Sequence, residues 1–128
     1  MNYYYSKEIE MPFNDVRQLV EERLKESGFG IVSEIDIHDK FKEKLGIEFR
    51  KYKILGACSP KYAFEAISNE EHIGLMLPCN VVLQEKAANR IEVSVIDPIA
   101  SMQAVENESL GKTAEEIRKK LMEFIDGL

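Results

Sequence analysis

The segment from Ile73 to Leu83 constrains the fold most strongly, because it is almost wholly apolar and is broken only by Pro78, Cys79 and Asn80. A short apolar run without polar alternation is typical of a central strand that is buried on both faces of a sheet. Pro78 cannot donate a hydrogen bond to a neighbouring strand, so its position indicates a bulge or an edge within the run. The segment therefore predicts a sheet built around its residues.

Local signals divide the first half of the chain into regular elements. The aromatic, alternating run from Tyr3 to Ile9 predicts a strand, which Pro12 ends. Apolar residues at helical spacing after Phe13 predict a helix, which Gly28 closes as the residue beyond its C-cap. Two further elements follow, namely a strand over residues 31–37 and a short helix from about Asp39 to Leu45, ended by Gly46.

The second half contains a distinct helix start and a hairpin. Residues 52–55 predict a strand, and Ser59 with Pro60 predicts a helix start, since proline lacks only an N–H that would be unpaired there. After the apolar run, residues 86–89 predict a turn that leads to an antiparallel strand over residues 91–96. The last helix is predicted to begin at a capping box formed by Thr113 and Glu116.

The order of these elements predicts the fold class. It is β-α-β, a short helix, then β-α-β-β-α, which indicates an α+β fold with a compact mixed sheet and helices packed on that sheet. A chain of 128 residues has the usual size for one hydrophobic core. We therefore expect residues 1–128 to form a single domain.

Charge and composition exclude several classes of function. The chain carries 17 Lys and Arg against 23 Asp and Glu, a formal charge of −6, and the two signs are mixed along its length. A nucleic-acid-binding protein normally shows a basic stripe, because release of counterions from phosphates supplies much of its affinity. The sequence shows neither a signal-peptide pattern nor an apolar run of the ~18 residues that span a membrane. We therefore expect a cytoplasmic protein that binds neither nucleic acid nor a membrane.

The two cysteines, Cys58 and Cys79, are the residues whose chemistry most strongly indicates a functional site. In a reducing cytoplasm they are expected to be thiols, metal ligands or redox-active groups rather than a structural disulfide. A crossover through the helix that starts at Pro60 would make the two flanking strands parallel, with matching ends on the same side. Cys58 would then lie near Cys79 if those strands are neighbours.

The predicted hairpin adds further residues to this neighbourhood. With a turn over residues 86–89, Cys79 would face Ile96 and Pro78 would face Asp97. Asn80 follows in the same strand. Three unusual motifs that are far apart in the sequence are thus expected to lie at one place in the fold.

Several motifs carry a family resemblance. They are Gly28-Phe29-Gly30, Glu34-Ile35-Asp36, Lys44-Leu45-Gly46, Ile54 to Pro60, Ile73 to Val81 and Asp97-Pro98. Together they resemble the bacterial and archaeal family known as domain of unknown function number three hundred and two. The resemblance covers nearly the whole chain and implies a compact α+β fold, a homodimer and no established activity. Both cysteines of the family are present here, as Cys58 and Cys79.

The cysteine pair has a packing interpretation and a chemical one. Free cysteine is among the most buried residue types, so both side chains would suit a tight sheet interior. Cys58, however, precedes the helix start at Ser59, and a helix N-terminus favours the thiolate of a nearby cysteine. Such a thiol suits a nucleophile, a redox pair or a ligand for zinc or copper(I). Two thiolates do not complete a tetrahedral zinc site, so zinc would also need His38, His72, Asp97, water or a second subunit.

Other candidate residues have simpler interpretations. His38 and His72 lie among charges at element boundaries, where a solvated or capping histidine is commoner than a ligand. Asp97 before Pro98 is more often a turn former, since aspartate hydrogen-bonds its own backbone. The sequence contains no Ser-His-Asp arrangement, phosphate loop, dinucleotide fingerprint or C-x-x-C spacing. Common nucleotide-dependent enzymes are therefore disfavoured.

Two classes of function stay open. The first is a binding module whose pocket, formed by Cys58, Cys79, Asn80 and Asp97, holds a small ligand, or a soft metal bound by the two cysteines. The alternative is a thiol-dependent enzyme that uses Cys58 as a nucleophile or redox thiol. The binding module is favoured, because a cysteine nucleophile usually has a general base beside it and the sequence indicates none near Cys58.

Overall fold

The computed structural model describes residues 2–128. The elements in chain order are β1 (Tyr4–Glu10), α1 (Phe13–Glu26), β2 (Gly30–Asp36), α2 (Ile37–Leu45), β3 (Tyr52–Cys58), α3 (Pro60–Asn69), a 3₁₀ helix (Glu71–Met76), β4 (Cys79–Ala87), β5 (Arg90–Ile96), α4 (Pro98–Ser101) and α5 (Glu108–Asp126). The predicted α+β class and order of elements are confirmed, with the 3₁₀ helix and α4 as additions. In this part of the chain, no helix has both the length and the apolar character needed to cross a membrane.

The five strands form one sheet in the order β1-β5-β4-β3-β2. Strand side chains alternate between faces, so Leu55, Val81 and Val93 all lie on one face and pack in the main core. The apolar stripes of α1 and α5, which include Val20 and Leu121, cover this face. The opposite face, which we call the open face, carries exposed and half-buried side chains: Ser6, Glu8, Tyr52, Asn80, Val82, Gln84, Glu92, Ser94 and Ile96.

The predicted strand over residues 73–83 is wrong in its first half. Residues Glu71–Met76 form the 3₁₀ helix, and β4 begins only at Cys79. From there Cys79 is buried and Asn80 is exposed, so the strand is covered on one face rather than on both. The apolar character of the earlier residues has a different cause, because Ile73 packs in a second, smaller core with residues of α3 and α5.

The predicted parallel pairing of β3 and β4 is also wrong. The two strands are antiparallel, and Ala57 near the end of β3 pairs with Cys79 at the start of β4. Since α3 and the 3₁₀ helix pack against each other, the connection runs out and returns to the same end of the sheet. A parallel pair would have required the connection to cross the whole sheet. The sheet is therefore antiparallel throughout and not mixed.

The β4–β5 hairpin differs from the predicted register by one residue. Val81 pairs with Val95, so the predicted pairing of Cys79 with Ile96 is not formed. The turn is shorter than the predicted 86–89, because Ala87 pairs with Arg90, which moves the register by two residues. A β-bulge between Glu85 and Ala87 then moves it back by one. A shift of one residue exchanges the faces of a strand, so Cys79 lies on the helix-covered face and Ile96 on the open face.

Helix boundaries follow the local signals with one exception. Gly28 closes α1 as predicted, with a φ of +88° that glycine adopts without steric cost. Ser59 is the N-cap of α3 and Pro60 occupies its first turn, also as predicted. The last helix begins earlier than the capping box at Thr113, because the Asn107 side chain accepts a hydrogen bond from a backbone N–H of the first turn.

Candidate functional site

The two cysteines lie at the end of the sheet where β3 ends and β4 begins. Cys58 is half-buried, Cys79 is 6% exposed, and both are free thiols. Both line a cavity of about 20 Å³. That space holds roughly one water molecule. The other walls are mostly apolar and include Tyr62, Ala66 and Ile117.

Burial governs the chemistry of the inner thiol. Burial first, and the nearby Cys58 second, raise the pKa of the Cys79 thiol to about 11. Cys79 is therefore a neutral packing side chain at neutral pH. Its direct cross-strand neighbour is Ala57, and Cys58 occupies the next position of β3, which alternation assigns to the other face. Both residues line the cavity, but the strand register places their side chains on opposite faces of the sheet.

Neither histidine lines the cysteine cavity. His38 lies at the other end of β3, where its Nδ1 accepts a hydrogen bond of 2.9 Å from the Tyr52 N–H. The His72 side chain is 76% exposed and lies beside Glu71. Within residues 2–128, no group of three or more His, Cys, Asp or Glu side chains is arranged to hold a metal ion. A zinc ion at the cysteines would need further ligands from water or from a second subunit.

Asp97 is buried in a polar cluster of its own. Its carboxylate accepts hydrogen bonds from the Tyr5 hydroxyl at 3.2 Å and from the Ile99 N–H at 3.0 Å. Arg118 forms an ion pair with the same carboxylate at 3.4 Å. The bond from Ile99 caps α4, so Asp97 fixes the turn after β5. The shifted hairpin register removes the predicted pairing of Asp97 with Pro78.

A larger cavity lies on the open face. Its volume is about 310 Å³. The residues that line it come from the start of the chain and from strands β3, β4 and β5: Tyr3, Tyr4, Tyr52, Asn80, Val82, Gln84, Glu92, Ser94, Val95 and Ile96. Asn80 therefore lies here and not with Cys79, because adjacent residues of a strand point to opposite faces.

The floor of this cavity is held by hydrogen bonds between strands. Ser94 Oγ lies 2.8 Å from Ser6 Oγ, and it donates to Glu92 Oε1 at 3.2 Å. Gln84 lies directly opposite Glu92, and its Oε1 accepts two hydrogen bonds from the Arg50 guanidinium, at 2.8 and 3.0 Å. Side chains of β1 and β5 are thus fixed relative to each other, and Arg50 fixes Gln84 of β4, which gives the floor a defined shape.

Comparison with known proteins gives the family. A model described as "Domain of unknown function DUF302" matches residues 5–128. The chain belongs to the DUF302 family. The resemblance inferred from the cysteine motifs is thereby confirmed. No curated protein matches the chain.

The DUF302 fold is also seen in a solved structure. The crystal structure of an uncharacterized conserved DUF302 protein from Bacillus stearothermophilus matches this chain with a TM-score of 0.88 at 24% sequence identity. The match covers 98% of this chain and 98% of that chain. At this level of identity the likeness establishes the fold alone.

In this DUF302 chain, Glu92 is one of the site residues that the sequence did not single out. Among the described residues, 2–128, it is the only charged one that lines the open-face cavity. A glutamate in an alternating strand is ordinarily a solvent-exposed residue, so nothing distinguished it from its neighbours. The available signal was the alternation of β5, which places Glu92 and Ser94 on the same face.

Proposed function

We propose that this DUF302 protein is a binding module for a small organic ligand, which lies in the open-face cavity. The observation that carries this proposal is the cavity volume of about 310 Å³, which falls within the roughly 300–1,000 Å³ of small-molecule sites. The cysteine cavity, at about 20 Å³, is too small for an organic ligand. The proposed ligand site therefore retains Asn80 from the residues predicted by sequence, without the cysteines and Asp97.

The lining residues support a flat ligand with both apolar and polar parts. Tyr4 and Tyr52 offer aromatic surface at two sides of the cavity, and Val82 adds apolar floor. Asn80 offers an amide group that both donates and accepts hydrogen bonds, and Gln84 offers its amide NH₂ as a donor, because its Oε1 already accepts from Arg50. A mainly apolar surface with a few placed polar groups is the usual composition of a small-molecule site.

Nuclear magnetic resonance of the ¹⁵N-labelled protein, titrated with small aromatic compounds, tests this proposal. We expect shift changes at the backbone amides of Asn80, Val82 and their cross-strand neighbours. Gln84→Ala should weaken binding by about fivefold, the equivalent of one hydrogen bond. Gln18→Ala, the same change at an exposed position of α1, should bind as the parent chain does. Shift changes confined to the cysteine cavity would contradict the proposal.

The cysteine site is a second candidate, and one observation favours it: Cys58 and Cys79 line the same cavity. Space for about one water molecule also admits a single soft ion such as zinc or copper(I). Titration with copper(I), followed by the ultraviolet absorption of the copper–thiolate bond, should then saturate at a defined stoichiometry. Cys58→Ser and Cys79→Ser should each abolish that signal. A signal retained in both variants would eliminate the site.

The enzyme alternative also depends on the cysteine site. Cys58 precedes the N-cap of α3, which supports a reactive thiol. A general base is less well supported, because neither histidine lines the cavity. The binding module therefore ranks above the thiol-dependent enzyme.

We also propose that the protein is a cytoplasmic homodimer. Two free cysteines suit a reducing compartment. Two surfaces are available to a second copy. One is the unpaired edge of β1 beside Tyr3, which is 63% exposed, and the other carries Phe64 of α3 and Leu75 of the 3₁₀ helix, which are 74% and 87% exposed. The greater exposure of its side chains favours the second surface as the dimer contact.

A further inference from the structure

We infer that the ligand of the open face carries a positive charge and that Glu92 selects it. The ligand class is a protonated organic amine with an aromatic or apolar body. This inference rests on the proposed function, because it concerns the same cavity and names the chemistry of its occupant.

Glu92 gives the cavity its charge. Of the described residues that line the cavity it is the single charged one, and it is half-buried in β5. Its carboxylate accepts a hydrogen bond from the Ser94 hydroxyl at 3.2 Å, and within residues 2–128 it forms no ion pair. Neither of the two arginines near the open face pairs with Glu92 among the described residues, since Arg90 pairs with Glu8 at 3.7 Å and Arg50 donates to the amide oxygen of Gln84.

A second carboxylate strengthens the preference for a cation. Glu8 of β1 lies directly opposite Glu92 on the same face. Like charges at directly opposed positions of neighbouring strands repel each other. The pair of Glu8 with Arg90 offsets only one of the two charges, and it is exposed, with side-chain exposures of 53% and 55%. A cation bound beside Glu92 would offset the other, whereas an anion would be repelled by it.

The aromatic walls favour the same class of ligand. Tyr4 and Tyr52 line the cavity together with Glu92. A cation is attracted to the face of an aromatic ring because the ring carries negative charge density there. A carboxylate combined with tyrosine rings therefore recognises an ammonium group and the apolar body attached to it.

Three probes of similar shape test the inference at neutral pH: benzylammonium, benzyl alcohol and benzoate. In ¹⁵N-labelled protein we expect all shift changes to map to the open face, with benzylammonium bound at least about fivefold more tightly than benzyl alcohol. Benzoate should bind most weakly. Glu92→Gln should abolish the preference for benzylammonium over benzyl alcohol. Glu116→Gln removes an equal charge from an exposed position of α5 and should retain the preference.

The outcomes separate this inference from the proposed function. Equal binding of benzylammonium and benzyl alcohol at the open face would overturn the charge selection and leave the binding module standing. A preference lost equally in Glu92→Gln and Glu116→Gln would also overturn it, because net charge and not the position of Glu92 would be the cause. If none of the three probes shifted the amides of the open face, both proposals would fail.

Discussion

At the scale of single residues, burial distinguishes the two cysteines. Cys79 is 6% exposed and has a pKa of about 11, whereas Cys58 is half-buried beside the start of α3. Compared with a thiol of ordinary pKa 9.0, the fraction of Cys79 that is present as the reactive thiolate near neutral pH is about a hundredfold lower. We predict that brief iodoacetamide treatment near neutral pH modifies Cys58 first, as read by mass mapping. Earlier modification of Cys79, or resistance of both until unfolding, would favour a packing role for both.

Glu34 is the residue whose protonation at low pH should destabilise the fold. The Arg17 guanidinium, 2.6 Å away, and then Lys53 lower the pKa of the Glu34 carboxyl from 4.5 to about 2. A carboxyl whose pKa is lower in the folded state than in the unfolded state stabilises the fold at pH values above its unfolded-state pKa. This contribution is lost as the pH falls toward the folded-state pKa. We predict that the parent chain loses more Tm between about pH 5 and pH 2 than Glu34→Gln does. Differential scanning calorimetry measures this loss.

An exposed glutamate provides the control for this experiment. Glu22→Gln changes the same chemical group on α1, where the residue is exposed. It should show the pH dependence of the parent chain. If Glu34→Gln lost as much Tm on acidification as the parent chain, the ion pairs of Glu34 would not contribute to the pH dependence of stability.

At the scale of elements, Gly56 permits the close approach of β2, β3 and the segment before β4. A Cβ at this position would lie 2.2 Å from Ser33 Oγ and 2.6 Å from Pro78 Cγ. The serine hydroxyl can rotate away, but the proline ring cannot. We predict that Gly56→Ala destabilises the protein by about 1–3 kcal/mol in urea unfolding. Gly30→Ala in β2, where a Cβ meets nothing within 4 Å, should change stability little. Equal effects would contradict the steric explanation.

At the scale of the whole molecule, apolar side chains of α3 and the 3₁₀ helix are uncovered. Leu75 is 87% exposed and Phe64 is 74% exposed. The two elements pack against each other, and exposed apolar side chains on adjoining elements commonly mark an interaction surface. We predict a homodimer that buries them, so light scattering at micromolar concentration should give twice the chain mass of 14.7 kDa. A mass of 14.7 kDa for the parent chain would disprove the dimer.

Charged substitutions locate the dimer surface. Phe64→Glu combined with Leu75→Glu should give the mass of one chain with unchanged circular dichroism. Val32→Glu places the same charge at an apolar residue of β2 that is 63% exposed, and it should leave the dimer intact. A dimer that persists in the double variant would assign the contact to another surface.

Features that depend on the backbone of one or two residues were determined by the sequence itself. Gly28 ends α1 because a φ of +88° is accessible to glycine, and Pro60 starts α3 because its missing N–H costs nothing there. The motifs around Cys58 and Cys79 were likewise sufficient to assign the family. Each of these signals acts through residues adjacent in the chain, so no knowledge of the fold was needed.

The candidate site was decided only by the tertiary structure. The apolar composition of residues 73–76 suits a strand or a 3₁₀ helix equally, and the packing against α3 selects the helix. One bulge residue between Glu85 and Ala87 then sets which face each side chain of β4 occupies. Strand alternation separates Asn80 from Cys79, and the resulting register places Glu92 opposite Gln84. Strand partners and faces depend on hydrogen bonds and packing between distant segments, which no local pattern encodes.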